Sequence, residues 1–161
     1  MNPIDLEGIQ VNILSYSHAY TGSGHNGGAE TTLHDVMRMA RLSGHRTTAL
    51  VSKPHPDGSG SYVLDGVMVQ AYASKRDPNL YFPQSDLILS HLECASRTGL
   101  LARELGKKAI HLLHNEQPYC VTAAERYADG LIYHTDWIRP EYVGVPRMLP
   151  NATFHPPVDH E

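Results

Sequence analysis

The sequence predicts an α/β domain built on a doubly wound, mainly parallel sheet of six or seven strands, and three observations carry that prediction. Short apolar and β-branched runs alternate along the chain with segments of helical period. The runs are apolar almost throughout, as strands covered on both faces are. A glycine-rich stretch, Gly22-Ser23-Gly24-His25-Asn26-Gly27-Gly28, separates the first such run from the first helical segment. At 161 residues, 41% of them hydrophobic and 19% charged, the chain is expected to form one folded domain over residues 1–161.

A polar lead-in over residues 1–8 precedes a first strand over 9–15, a polar turn over 16–21 and the glycine loop. Leu33, Val36, Met37 and Ala40 recur at helical spacing, which predicts a helix over about 29–43 that Gly44 stops. Residues 45–51 are rich in β-branched and apolar side chains and read as the second strand. Residues 54–60 alternate proline and glycine with polar residues and form a loop. Two short β runs flank Asp65-Gly66, a strong hairpin signal, and this hairpin is expected at an edge of the sheet. Residues 72–85 show no period and are expected to be irregular, with one short helical turn. A buried strand over 86–90 follows, then a helix over 95–105 with Leu100, Leu101 and Leu105 inward and Gly106 at its end. Strands over 108–113 and 131–134 bracket a short helix over 121–128. Thr135 or Asp136 is placed to cap a further helix that Pro140 enters. There is no internal repeat.

Several function classes are disfavoured at once. A net charge of −4 without a polybasic patch gives no general attraction to nucleic acid or anionic membrane. Cys94 and Cys120 stand far apart, which fits a reducing, cytoplasmic setting and provides no thiolate zinc cluster. The N-terminus lacks the pattern of a signal peptide, and no apolar run approaches the ~20 residues of a membrane span. The sequon at Asn151-Ala152-Thr153 is therefore without consequence.

In doubly wound folds ligands bind beyond the carboxyl ends of the strands. That rule selects the 22–28 loop, His91, the run His114-Asn115-Glu116, and Thr135-Asp136. The glycines let a ligand approach the backbone, and the helix that follows offers unpaired N–H groups and a positive dipole end to an anion. Glu30, in the first helical turn, complements the same dipole.

Gly22-x-Gly24-x-x-Gly27 also matches the dinucleotide fingerprint. However, residues 16–21 intervene after the strand, and Val51-Ser52-Lys53 stands where an acidic ribose ligand is expected. A dinucleotide-binding protein is thus the lesser alternative. Of the eleven histidines, His18, His25, His34, His45, His55 and His160 are read as hydrogen-bonded or solvated side chains. His91 and His114 stand apart because both close apolar strands at the ligand rim. His111 and His114 fall on opposite sides of their strand, and no His-Glu-x-x-His motif occurs, so no metal site is expected. There is no Gly-x-Ser-x-Gly elbow either.

Five segments in order carry a resemblance. Gly27-Gly28-Ala29-Glu30 with its helix and Ser43-Gly44-His45-Arg46-Thr47-Thr48-Ala49-Leu50 resemble the opening of family-4-type glycosyltransferases of the GT-B fold. Asp86-Leu87-Ile88-Leu89-Ser90-His91 and Lys107 through Glu116 resemble that family's following strands. Ala128 through Thr135 is similar to the strand leading to a helix cap, and Asn151 through Asp159 resembles the passage into a second domain. The resemblance spans nearly the whole chain and implies the Rossmann-like N-terminal, acceptor-side half of such an enzyme, with the C-terminal donor domain absent from these residues.

By this resemblance Gly27 and Gly28 face the donor diphosphate, and His114 is the catalytic candidate beside the transferred sugar. His91, Asn115, Glu116 and Thr135 are expected to line the acceptor or sugar. A nucleotide sugar would be the substrate, with no cofactor and no metal required. A separate donor-domain protein or self-association is the expected partner. The first expectation is therefore the acceptor-side half of a retaining glycosyltransferase, not active as an isolated chain. The alternative is a binding or structural module that keeps the fold without transfer chemistry.

Overall fold

The computed structural model describes residues 8–22, 27–53, 55, 57–58, 60–71, 80–114, 124 and 126–133. Strands β1 (Asn12–Ser17), β2 (Arg46–Val51), β3 (Ser61–Leu64), β4 (Val67–Ala71), β5 (Leu87–His91), β6 (Lys108–Leu113) and β7 (Gly130–Tyr133) form one sheet. Its order is β3-β4-β2-β1-β5-β6-β7, and every neighbouring pair is parallel except the β3–β4 hairpin. The hairpin lies at an edge, as its sequence suggests, and turns through Asp65 and Gly66, both at positive φ.

Alternate residues of the strands build two cores. Ile13, Ala49, Val51, Val67, Val69 and Leu89 meet Leu33 and Met37 of helix α1 (Gly28–Leu42) on one face. Leu14, Tyr16, Leu50, Ile88 and Ala109 meet Ala102 of helix α2 (Ala95–Glu104) and Phe82 on the other. Phe82 belongs to the short 3₁₀ turn Phe82–Gln84, the helical turn expected within 72–85. Period-2 burial on both faces explains why the strands read as continuous apolar runs. Both helices end at a glycine with positive φ close by, Gly44 and Gly106.

Two expectations are corrected. The first strand runs over Asn12–Ser17, so Tyr16 and Ser17 belong to it, and the stretch that follows is no polar surface turn. Tyr16 packs edge-on against Phe82 at 5.9 Å, and Tyr20 is fully buried. Leu100 in α2 and Leu105 just after it face outward, Leu101 packs against the core as expected, and Ala95, Thr98, Gly99 and Ala102 form the buried stripe. At Gly99 the reason is close approach: a methyl group there would collide with the carbonyl of Tyr127. The expected helix over 121–128 falls largely outside the described residues; of those described, Ala124, Arg126 and Tyr127 are helical. Thr135, Asp136, Pro140 and the 151–159 segment lie outside them altogether. No helix among the described residues is long and apolar enough to cross a membrane.

Candidate functional site

β2 lies on one side of β1 and β5 on the other, so the winding reverses between β1 and β5, and ligands of open parallel sheets settle beyond such a point. There, α1 begins. Gly27 is its N-cap, in extended conformation and with no side chain to close the helix end. The carbonyl of Gly27 accepts the Thr31 amide and Thr31 Oγ1, both at 3.0 Å, and that of Gly28 accepts Thr32 Oγ1 at 2.8 Å. The first turn is thus fixed by its threonines. A methyl group on Gly27 would run into Oε2 of Glu30, whose carboxylate is folded back over the N-cap. In front of Gly28 the described residues leave open space.

His91, the last residue of β5, ties this helix end to the rest of the rim. Its ring is 2% exposed, and it is hydrogen-bonded to the backbone of Ala29 in the first turn of α1. Its edge packs against His114, with ring centroids 5.4 Å apart and planes at 80°. Nδ1 of His91 has no hydrogen-bond partner among the described residues. Burial pushes its pKa down to about 4, helped by nearby His18 and opposed by the Ala29 bond. Behind it, His111 is fully buried on the opposite face and bonds Ser90 Oγ through Nδ1 at 3.0 Å. Burial and the proximity of His91 and His114 push its pKa down to about 3. Near neutral pH both rings are uncharged.

A cavity of about 360 Å³ opens beside this cluster, lined by His18, Ala19, Glu30, Lys53, His91, Leu92 and Cys94. It is at the small end of the range for ligand pockets, the size of a sugar or a small phosphate-bearing group. Residues just beyond β1 and β2 are stitched together on its wall. The Lys53 amide donates to the His18 carbonyl at 3.1 Å, and Ser52 Oγ donates to the same carbonyl at 2.9 Å. Ser52 has spent its only proton there, so its oxygen accepts from His18 Nδ1 at 3.0 Å. Leu92 takes φ 51, a left-handed conformation rare for such a residue, in the wall of the same cavity. A larger cavity of about 830 Å³ lies at the opposite end of β1 and β2, lined by residues 8–11 and 43–45. It is away from the carboxyl ends of the strands, and among the described residues His45 is the titratable group in its lining, so the smaller cavity is the candidate site.

Of the site residues expected from sequence, Gly27, Gly28, His91 and His114 come together at one rim. Asn115, Glu116 and Thr135 lie outside the described residues, as does Gly24 of the dinucleotide pattern. His18, read from sequence as hydrogen-bonded or solvated, and Lys53, to which the sequence assigns no site role, line the cavity. The signal that finds them is the strand-end rule itself, once β1 is placed at Asn12–Ser17. His34 is hydrogen-bonded, as expected: its Nδ1 accepts the buried Tyr20 hydroxyl at 3.0 Å, and its Nε2 donates to Asp65 Oδ2 at 2.9 Å. Burial raises the Tyr20 phenol far above its usual range, so it acts as a neutral donor. Among the described residues no group of three or more His, Cys, Asp or Glu is arranged to hold a metal ion. No protein-family model matches the chain, and no curated protein matches it.

Proposed function

We propose that this chain is the acceptor-side domain of a retaining glycosyltransferase, using a nucleotide-sugar donor and working against a donor-binding domain. The supporting observation is the bridge made by His91, which bonds the first turn of α1 and packs against His114. It joins an anion-attracting helix end to an imidazole one residue past β6. In this reading the N–H groups at Gly27 and Gly28 face the donor diphosphate. His114 lies beside the sugar, where its imidazole orients a hydroxyl or stabilises developing charge. The cavity at His18, Lys53 and His91 is left for the acceptor side or for the phosphates themselves.

The test is a chemical-shift titration of the protein with a panel of nucleoside diphosphates and their hexose conjugates. Diphosphates are expected to shift the amides of residues 27–32 with about millimolar affinity, near −4 kcal/mol. Only the hexose conjugates should also shift the His114 ring. Gly28→Val is expected to abolish the response, and among the described residues no atom lies within 4 Å of a Cβ placed there. Saturating ligand that moves neither 27–32 nor His114 overturns the proposal.

A second reading, a binding module without transfer chemistry, is favoured by one feature. Val63 and Met68 are cross-strand partners on the edge hairpin and remain 61% and 44% exposed. In that case the diphosphates have no effect.

A further inference from the structure

One imidazole in the rim cavity is left with an unused lone pair. His91 lines the cavity at 2% exposure, and its Nδ1 is buried with no hydrogen-bond partner among the described residues. The ring's bond to the Ala29 backbone favours the charged form, so it is donated by the ring to the carbonyl. A neutral imidazole has one N–H, and that bond uses it, which leaves Nδ1 as an acceptor. An acceptor buried without a partner is costly, and the group that relieves it must bring a proton. A hydroxyl or an amine does so; a phosphate diester does not. Glu30 adds a carboxylate, a second acceptor, to the same lining. Lys53 carries the opposite charge there, so an ionic ligand attracted by one of the two is repelled by the other. Ala19 and Leu92 make the wall partly apolar, Leu92 reaching it through its left-handed backbone at φ 51°. Hydroxyls at the rim of a ring and C–H groups on its face match this lining, and about 360 Å³ holds one such ring.

We propose that this cavity is the acceptor subsite and that the acceptor enters it as an uncharged monosaccharide ring, an assignment that takes its role from the acceptor-side reading and its chemistry from the cavity alone. One hydroxyl of the ring donates to Nδ1 of His91 and another to the Glu30 carboxylate, while its C–H face rests on Ala19 and Leu92. The donor diphosphate is kept out of the cavity, because its oxygens set against the Nδ1 lone pair would bring two acceptors together with no proton between them. His91 thus divides the rim. Its N–H serves the first turn of α1, and its lone pair serves the acceptor.

Methyl glucoside, methyl galactoside and methyl mannoside are the probes, each titrated to about 50 mM, since a single ring is expected to bind only in the millimolar range. The readouts are the amides of residues 91–94 and the nitrogen chemical shift of His91 Nδ1. At least one hexoside is expected to move these amides and to shift Nδ1 upfield, the signature of a proton donated to a bare imidazole lone pair. Glu30→Ala is expected to weaken that hexoside at least threefold and His91→Leu at least tenfold, with thermal melts confirming that each variant is folded. Should His91→Leu not fold, the Nδ1 shift in wild type decides by itself. Glucosamine and glucose 6-phosphate, one cationic and one anionic, are expected to bind no more tightly than methyl glucoside. No hexoside response at 91–94, a response that leaves Nδ1 unmoved, or tighter binding of either charged sugar overturns the assignment. Nucleoside diphosphates, read at residues 27–32, keep the two readings apart. Hexoside binding without a diphosphate response upholds the sugar cavity and removes the donor site, and the reverse pattern removes the cavity and leaves the donor site standing.

Discussion

Tyr20, His34 and Asp65 form a chain of hydrogen bonds from the segment after β1, through α1, to the edge hairpin. The Tyr62 hydroxyl adds a bond to the Thr21 carbonyl at 3.1 Å, so the hairpin holds the stretch that leads into the glycine loop from two sides. Removing His34 leaves the fully buried Tyr20 hydroxyl without its acceptor. His34→Ala is therefore expected to lower unfolding stability by about 2–3 kcal/mol, and Tyr20→Phe by about 1 kcal/mol. Because the two side chains share one bond, the double variant should lose less than the sum, which urea melts of the four proteins will show. Glycines give a second contrast at this scale. Gly99→Ala drives a methyl into the Tyr127 carbonyl and is expected to cost about 1–3 kcal/mol, whereas Gly28→Ala points into open space and should stay within about 0.5 kcal/mol.

Among the elements, the β3–β4 hairpin depends most on its turn. Asp65 and Gly66 both take positive φ, at 49° and 79°, which the twist of a two-residue hairpin demands. Gly66→Ala is expected to cost about 1 kcal/mol, read as a lower urea midpoint with unchanged slope. The loss should reach the glycine loop as well, since Asp65 anchors His34 and Tyr62 anchors Thr21. Helix α1 shows how an element serves both packing and chemistry. Leu33 and Met37 are fully buried against the sheet, while the first turn carries Glu30 and is bonded by His91. The sheet starts are clamped in a comparable way: Asp86 Oδ2 accepts the Asn12 amide and Asp129 Oδ2 accepts the Ala109 amide.

For the whole molecule the buried histidines set the response to acid. His91 and His111 hold pKa values of about 4 and about 3 when folded, against the 6.5 of an unperturbed ring. Between these values the unfolded chain binds protons that the folded one does not, so stability is full above about pH 6.5 and falls as the pH drops toward 4. The limiting slope is about 2.7 kcal/mol per pH unit for two rings, at 1.36 kcal/mol each. Urea melts from pH 7 to 4.5 should show it, and His91→Gln should about halve the slope. A slope unchanged by that variant would show that other groups control acid unfolding. On the proposed function, residues 1–161 form one wall of an interdomain cleft and supply no cleft closure to exclude water. They are expected to show no steady sugar transfer from nucleotide sugars, a result that steady turnover by the purified chain would contradict.

The sequence by itself determined the architecture, because parallel strands buried on both faces leave a continuous apolar signature and helix ends leave glycines. Strands at Lys108–Leu113 and Arg46–Val51, the hairpin at Asp65-Gly66 and the start of α1 after the glycine loop were all legible. So was the rim position of His91 and His114, since it follows from strand ends alone. Tertiary structure decided what no local pattern encodes. The inward face of α2 is its small-residue stripe together with Leu101 rather than Leu100 and Leu105, and at Gly99 Tyr127 approaches too closely for any side chain. His18 and Lys53 become neighbours only when β1 and β2 pair in register, Ser17 beside Val51, which carries the next residues to one wall. His34 is made a relay by Asp65, thirty-one positions away, and the Glu30 carboxylate lies beside Gly27 through a rotamer that the sequence does not specify. Periodicity reports which face of an element is buried, but contacts between residues distant in sequence depend on register and side-chain rotamer, and these are settled by packing.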